Sequence, residues 1–449
     1  MLYHLVTLGC QMNKSDSERM EKVLERIGFK KSANEEEATI LGIIACSVRQ
    51  KSIDKVYSKI HKWNKWKNKK NLITFASGCI LPADKEKFLK LFDLVFEPAD
   101  IIKLPEMLAN YGISTPFNIN NYLVRNNYTI TDKNSNEKIY EFWDIEPAYS
   151  SKFEAFIPIQ NGCDKFCTFC AVPYTRGREI SRPSNEIIEE FKCLLNNNYK
   201  SITLLGQNVN SYGLDKKGKE IKFPELLKKI GEIGDNSGKE LWVYFTSPHP
   251  KDMTDEVIDI IASYKCLAKQ IHLPLQSGDN EILKKMNRKY TIEDYRKIIQ
   301  KIQKTLPQAT IFTDIIVGFP GETDEQFENT RKAMEEFKFN MAYIARYSPR
   351  PGAVSSKWKD DIPYDVKTKR LEILTNELIK HTLVYNQSLI GKNIRTLVTG
   401  EDRKKGYLSG INEGKMVLRF KSDDKNLIGN FVDIKITSAT EYSLEGELI

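Results

Sequence analysis

The sequence predicts an α/β protein in three parts: an N-terminal doubly wound parallel sheet, a central partial (β/α) barrel and a small C-terminal antiparallel β-barrel. Three observations predict it. From Tyr3 to Tyr111 short apolar segments alternate with amphipathic ones, as strand–helix units on a parallel sheet do. A longer series of the same units begins at Phe153. From Gly391 the apolar period drops to two, the pattern of short strands joined by polar turns.

Taken in order, Tyr3–Leu8, Thr39–Ala45, Leu72–Ala76 and Asp93–Phe96 read as the first strands. Ser17–Ile27, Arg49–Trp66 and Asp84–Leu91 read as helices, and Ser15-x-x-Glu18 offers a capping box for the first. Between Thr115 and Ser151, Asn, Lys, Ser and Asp crowd the chain and apolar periodicity fades, so this stretch reads as a linker. Strands follow at Phe153–Ile159, Ser201–Leu205, Leu241–Phe245, Gln270–Leu273, Ile311–Val317 and Met341–Tyr347. Helices lie between them, for example at Asn185–Asn196, Asp255–Ser263, Thr291–Leu306 and Asp324–Glu336. Barrel chemistry sits at the carboxyl ends of the strands. The unusual residues fall there, at Asn161–Cys170, Gly206–Asn208, Thr246–Pro250, Leu273–Gly278, Gly318–Thr323 and Ser348–Gly352. Ile394–Val398, Gly406–Ile411, Lys415–Phe420 and Phe431–Thr437 predict the closing barrel, a shape often used for RNA. The expected division is residues 1–115, a linker 116–150, a core 151–385 and a barrel 386–449.

The chain has 449 residues, enough for about three average domains. A hydrophobic fraction of 41% excludes bulk disorder. No apolar run is long enough to span a bilayer, and Met1–Thr7 reads as a first strand, not as a signal or transit peptide. A cytoplasmic protein is expected. The formal charge of +8 is compatible with a polyanionic partner such as RNA but does not select one. The run Lys62–Lys70, interleaved with Trp63 and Trp66, reads as a solvated helix face.

Eight cysteines without a secretion signal point to metal binding, catalysis or burial, not to disulfides. Cys163-x-x-x-Cys167-x-x-Cys170 is the strongest set. A [4Fe–4S] cluster normally takes four thiolates, so three on one tight loop leave an iron open. A bidentate small molecule suits that position, and the amino and carboxylate groups of S-adenosylmethionine provide one. Phe169 would set an aromatic face beside it. The alternative is zinc or buried thiols, but a second Cys or His pair at zinc spacing is absent from the sequence. Cys10, Cys46 and Cys79 each follow a predicted strand, and the carboxyl ends of parallel strands share one edge. Spacing alone favours reading them as three buried or semi-buried cysteines at strand ends. Cys193, in an apolar helical run, and Cys266 read as core fillers. His249 and His272 read as packed or solvent-tipped, and Arg176 and Arg178 as anion holders or surface ion pairs.

The segment Gly162-Cys163-Asp164-Lys165-Phe166-Cys167-Thr168-Phe169-Cys170 resembles the radical S-adenosylmethionine superfamily. With Val172-Pro173-Tyr174-Thr175-Arg176-Gly177 it looks like that superfamily's methylthiotransferases, and the central barrel is then of the radical SAM type. Thr7–Asn13, Ala45–Arg49 and Ser77–Cys79 resemble the amino-terminal domain of the same family. The resemblance implies a second cluster on Cys10, Cys46 and Cys79, hence two [4Fe–4S] clusters, and S-adenosylmethionine as both radical source and methyl donor. The segments around Gln207 and Gly318–Thr323 look like family segments near the cofactor, so Phe169 and Gln207 are the expected cofactor-binding side chains. Residues 429–446 resemble the RNA-associated barrel, called TRAM, that ends this family. No catalytic side chain is expected, because an unactivated aromatic C–H bond has no accessible pKa and a cofactor-derived radical must break it.

Val48-Arg49-Gln50-Lys51, Pro173-Tyr174-Thr175-Arg176-Gly177 and Ser181-Arg182-Pro183 look most like the branch that adds a methylthio group to carbon 2 of N(6)-dimethylallyladenosine at position 37 of tRNA. The partners implied are the anticodon stem-loop of tRNA, an electron donor and a sulfur source. Related branches act on threonylcarbamoyladenosine in tRNA or on a ribosomal-protein aspartate, and a non-catalytic iron–sulfur RNA-binding protein is the reading from another class. One departure stands out: Ile44-Ala45 precedes Cys46 where the family commonly has Asn-Thr, which puts the surroundings of that ligand in doubt.

Overall fold

In the computed structural model, which describes residues 1–48, 50–113 and 135–449, one sheet opens the chain. Its strands are β1 (Leu2–Thr7), β2 (Lys30–Lys31), β3 (Ile40–Cys46), β4 (Ile73–Cys79) and β5 (Leu94–Val95), in the order β2-β1-β3-β4-β5. All the pairings are parallel. β3 is buried at every position, as a strand covered on both faces must be. The helices are α1 (Gln11–Arg26), α2 (Gln50–Lys67), α3 (Pro82–Phe88), α4 (Leu104–Ala109) and α5 (Ser135–Trp143). Met20, Leu104, Leu108 and Phe142 from α1, α4 and α5 cover one face. Val56, Ile60, Trp63 and Phe88 from α2 and α3 cover the other. The sheet is doubly wound.

α1 begins at Gln11, well before the expected Ser17, and the capping box does not form. The reason is burial. Asn13, Ser15, Asp16, Ser17, Glu18 and Arg19 are all buried, because this polar turn of the helix faces the second domain. Ser15 Oγ accepts from Arg19 Nη1 at 2.9 Å. Glu18 Oε1 accepts from the Ser150 N–H at 3.0 Å and from its hydroxyl at 2.7 Å. The stretch expected as a linker holds α5, whose Ile139, Phe142 and Trp143 join the first core. The remainder of that expectation over 116–134, and the start of the expected helix at Arg49, lie outside the described residues.

The core comprises β6 (Glu154–Pro158), β7 (Gln160–Asn161), β8 (Ile180–Ser181), β9 (Ser201–Leu205), β10 (Trp242–Phe245), β11 (Gln270–His272), β12 (Thr310–Val317) and β13 (Met341–Arg346). β10-β9-β6 and β11-β12-β13 form two parallel sheets, stitched by a bridge between Val243 and Leu267. Around them run α6 (Val172–Thr175), α7 (Ser184–Asn196), α8 (Phe223–Asn236), α9 (Asp255–Ser263), α10 (Asn280–Lys285), α11 (Ile292–Thr305), α12 (Asp324–Phe337) and α13 (Tyr364–Gln387). This is a partial (β/α) barrel. α8 and α13 are the core helices whose bounds the sequence pattern marks least, for physical reasons. Gly231 and Gly234 interrupt α8 where Tyr264 and Cys266 press against it: added Cβ atoms would come within 2.6 Å and 2.5 Å of them. In α13 the buried Lys367, Arg370 and Glu377 break the apolar stripe.

The last part is β14 (Asn393–Glu401), β15 (Tyr407–Asn412), β16 (Val417–Lys421), β17 (Phe431–Ala439) and β18 (Ser443–Leu448), closed in the order β14-β15-β16-β18-β17. Its pairings are antiparallel apart from one parallel seam between β16 and β18. This barrel docks on the amino-terminal side of the core strands. Thr310 Oγ1 donates to Gly414 O at 2.7 Å, Tyr244 OH to Glu413 O at 3.1 Å, and Lys269 N–H to Glu413 Oε1 at 3.0 Å. The Trp242 ring meets Phe431 edge-on with 4.6 Å between centroids. The carboxyl ends of the core strands are left to the cysteine loop. Among the described residues no helix is long and apolar enough to cross a membrane.

Candidate metal centres

β3 and β4 end in register, with Cys46 opposite Cys79. Cys10 lies at the same edge, on the turn between β1 and α1. Cys46 and Cys79 are buried and Cys10 is exposed. Both Cys10 and Cys46 act electrostatically on the Cys79 thiol, so the three converge. Two glycines permit it. Gly9, at φ +115°, would carry a Cβ 2.8 Å from Cys46 Cβ, and Gly78, at φ +105°, one 2.5 Å from Ala45 O. Asn13 spans the group: its Nδ2 donates to Leu8 O at 2.7 Å and to Ala45 O at 2.8 Å, and its Oδ1 accepts from Cys79 Sγ at 3.3 Å. The contact at position 45 is therefore made by a main-chain carbonyl, which Ala supplies as well as Thr.

The second set lies on the loop after β7. Gly162, at φ +77°, has no room for a side chain, since a Cβ would stand 2.0 Å from Arg178 O. Its N–H donates to Gln207 Oε1 at 2.5 Å. Asn287 Nδ2 donates to Lys165 O at 3.2 Å and Phe166 O at 3.0 Å, which holds Phe166 in the left-handed region at φ +48°. Cys163, Cys167 and Cys170 are half-buried. Val172 N–H approaches Cys170 Sγ at 3.4 Å and Arg288 Nη1 approaches Cys167 Sγ at 3.3 Å.

Burial pushes the thiols of Cys79 and Cys170 up to about 12 and that of Cys163 to about 11. Such thiols keep their protons at neutral pH unless a metal displaces them. Among the described residues no three His, Cys, Asp or Glu side chains are grouped as a single metal ion would need. A four-iron cluster sits between its thiolates, and the donors present suit it: three soft sulfurs in each set, with N–H groups aimed at the sulfurs.

A cavity of about 980 Å³ lies where the core meets the first domain, with Cys170 in its wall. Phe169, Cys170 and Gln276 line it from the core, and Val48 and Gln50 from the first domain. Arg350 also lines it, donates to Gln50 Oε1 at 3.0 Å and feels the charge of Cys46. Phe169 packs against Met286, Phe319 and Tyr347. Gln207 does not line this cavity; its amide oxygen fixes the loop.

Sequence reasoning missed several participants. Arg176 is buried, not a surface residue, with its Nε 2.9 Å from Cys79 Sγ. Arg178 does form a surface pair, with Asp164. Arg288 and Arg350 carried no local signal; His272, read as packed or solvent-tipped, is partly exposed, with its Nε2 2.6 Å from Asp314 Oδ2. His249 is packed, as expected, against Tyr290. Cys266 is buried, but Cys193 is exposed and is no core filler. The buried stripe of α7 runs through Ile187, Phe191, Leu194 and Leu195, and Cys193 lies off it. Lys62 and Lys70 fold over the Trp66 ring, and Lys62 pairs with Glu36.

Three family models match the chain in succession: "Uncharacterized protein family UPF0004" over residues 2–97, "Radical SAM superfamily" over 157–334 and "TRAM domain" over 387–449. Among curated proteins the chain is similar to tRNA-2-methylthio-N(6)-dimethylallyladenosine synthase of Treponema denticola, 37% identical over 97% of each chain. It is 36% identical to the Thermotoga petrophila protein of that name, over 100% of this chain and 97% of the other. With the Thermoanaerobacter pseudethanolicus one it shares 39% identity, over 100% and 93%. Among solved structures, the radical S-adenosylmethionine methyltransferase TsrM from Kitasatospora setae matches with a TM-score of 0.54 at 15% identity. That match covers 79% of this chain and 74% of TsrM, and shows a shared fold.

Proposed function

The chain belongs to the methylthiotransferase family of radical S-adenosylmethionine enzymes, and from that premise we propose that it adds a methylthio group to carbon 2 of N(6)-dimethylallyladenosine at position 37 of tRNA. The observation that carries the reading is the cavity at the domain boundary, with Cys170 in its wall from the core and Val48 and Gln50, which follow Cys46 in sequence, from the first domain. A substrate base held there would lie beside the Cys170 loop and next to the segment that follows Cys46. Cys163, Cys167 and Cys170 would hold one [4Fe–4S] cluster, and Cys10, Cys46 and Cys79 a second. When bound, the first with S-adenosylmethionine supplies a carbon radical able to take hydrogen from an unactivated C–H bond.

The chain's own residues then position and enclose. Gln207 and Asn287 fix the loop that presents three thiolates. Arg288 and the Val172 N–H donate to sulfur. Phe169 forms an apolar wall, and Arg346, Arg350 and Lys367 bring positive charge to the same cavity. The partner is the anticodon stem-loop of tRNA, and the work is placed in the cytoplasm, where that RNA is. The succession of family matches supports a three-part order, with boundaries proposed at 1–115, 151–385 and 386–449 and with α5 of the 116–150 stretch packed on the first core.

The test is anaerobic reconstitution with iron, sulfide, reductant and S-adenosylmethionine, followed by nucleoside mass spectrometry of a synthetic stem-loop carrying the dimethylallyl base. The methylthio product and 5′-deoxyadenosine are expected together. Product from a threonylcarbamoyladenosine stem-loop alone would move the chain to the neighbouring branch. Iron-loaded protein that forms no 5′-deoxyadenosine would favour a non-catalytic RNA-binding role.

A further inference from the structure

Arg176 belongs to the core by sequence and to the first domain by contact. It follows α6, and its carbonyl accepts from Asn161 Nδ2 at 2.9 Å. Its guanidinium crosses the domain boundary. Nη2 lies 2.5 Å from Asp16 Oδ2 and 3.0 Å from Asn13 Oδ1, while Nε lies 2.9 Å from Cys79 Sγ. The side chains of Arg176 and Asp16 are 6% and 4% exposed. Burial alone would lower the guanidinium's pKa, but Asp16 and then Cys79 outweigh it and raise it.

A buried cation that served only to dock two domains would be satisfied by Asp16 and Asn13. Here one N–H is turned to a sulfur. The other cysteine set repeats the device, with the buried Arg288 Nη1 3.3 Å from Cys167 Sγ. Hydrogen bonds to cluster sulfurs and nearby positive charge stabilise the reduced, more negative state of such a cluster.

We propose that Arg176 is a positioning residue for the first-domain cluster, holding the Cys79 ligand by its Nε–H and raising that cluster's reduction potential, with Asp16 setting how much of the positive charge the cluster feels. The inference rests on reading Cys10, Cys46 and Cys79 as ligands. It assigns opposite effects to the two partners. Arg176→Met removes the donor and the charge, so the potential moves to more negative values. Asp16→Asn leaves the guanidinium but removes the opposing charge, so the potential moves to more positive values. Loss of docking would instead admit water at Cys79, which also stabilises the reduced state and moves the potential upward.

The experiment uses the full chain with Cys163, Cys167 and Cys170 all changed to Ala, so that only the first-domain set binds iron. Redox titration followed by electron paramagnetic resonance, with iron content, is compared for R176M, R176K and D16N in that background. The expected result is unchanged iron content, a negative shift for R176M, a smaller one for R176K and a positive shift for D16N. An R176M potential that stays put or rises at full iron content overturns the inference and leaves the ligand reading standing. Absence of iron from the parent triple variant overturns the ligand reading, and the inference with it.

Discussion

The imidazole of His249 lies against the Tyr290 ring, its Nδ1 accepting from the Lys251 N–H at 3.2 Å and its Nε2 buried without a hydrogen-bond partner. Burial, with Arg288 and Lys165 nearby, lowers its pKa from 6.5 to about 2. The folded chain therefore refuses a proton that the unfolded chain accepts below 6.5. Stability from this group is complete above that value and lost as the pH falls through it toward 2. Between about pH 7.5 and about pH 5.5 the loss amounts to about 1.4 kcal/mol. H249Q should flatten the dependence by that amount in urea titrations at the two pH values; parallel curves for the two proteins would contradict the assignment. At this scale the sequence was partly legible. Cys163, Cys167 and Cys170 declare themselves because three thiols on one tight loop are a rare choice, whereas Cys10, Cys46 and Cys79 were legible only through the family resemblance of the segments around them. Arg176 does not, since a buried guanidinium looks like any surface arginine until Asp16 and Cys79 are in place around it.

Loops and helices raise a different issue, which is what local pattern conceals. α1 hid its first turn because the residues there are polar and buried, whereas periodicity assumes that polar means exposed. The loop bearing Cys163 shows the converse, a local rule that held. Gly162 sits in the left-handed region, and a Cβ would collide with main-chain atoms of Arg178 and Gly177 that cannot swing away. The conformational cost for a non-glycine residue is about 1–2 kcal/mol before the collision is counted. G162A is expected to cut iron loading at this loop while the first-domain set still fills, so iron per chain should fall by about half. Full loading of G162A would show that the loop adjusts, and would remove the steric argument.

The three-part architecture of the whole molecule was legible, because a stretch without apolar periodicity separates two series of strand–helix units and the period drops to two from Gly391. How the parts meet was not. Their junctions join residues distant in sequence, such as Thr310 with Gly414 and Trp242 with Phe431. The small barrel consequently has two duties. Phe312 is buried with Leu418 and Phe420 of the barrel, and Trp242 and Ala268 with Leu397. A chain ending near Gln387 should therefore expose an apolar floor, bind a hydrophobic dye and aggregate, beyond any loss of affinity for RNA. A milder probe is G414V, whose Cβ would stand 2.6 Å from the Thr310 side chain. It should lower thermal stability by about 1–3 kcal/mol. Unchanged melting of both variants would mean that the floor closes without the barrel.

The docked turn at residues 413–415 also orders events during synthesis. A ribosome releases the first sheet and the core strands before β14 to β18 have emerged, so the nascent core waits with Trp242 and Phe312 uncovered. Contacts that join residues 242 and 310 to 413–431 span a long stretch of chain, and such closures form late. The floor of the core is the last surface to leave water, and for that interval the unfinished chain is a client for chaperones that hold exposed apolar surface.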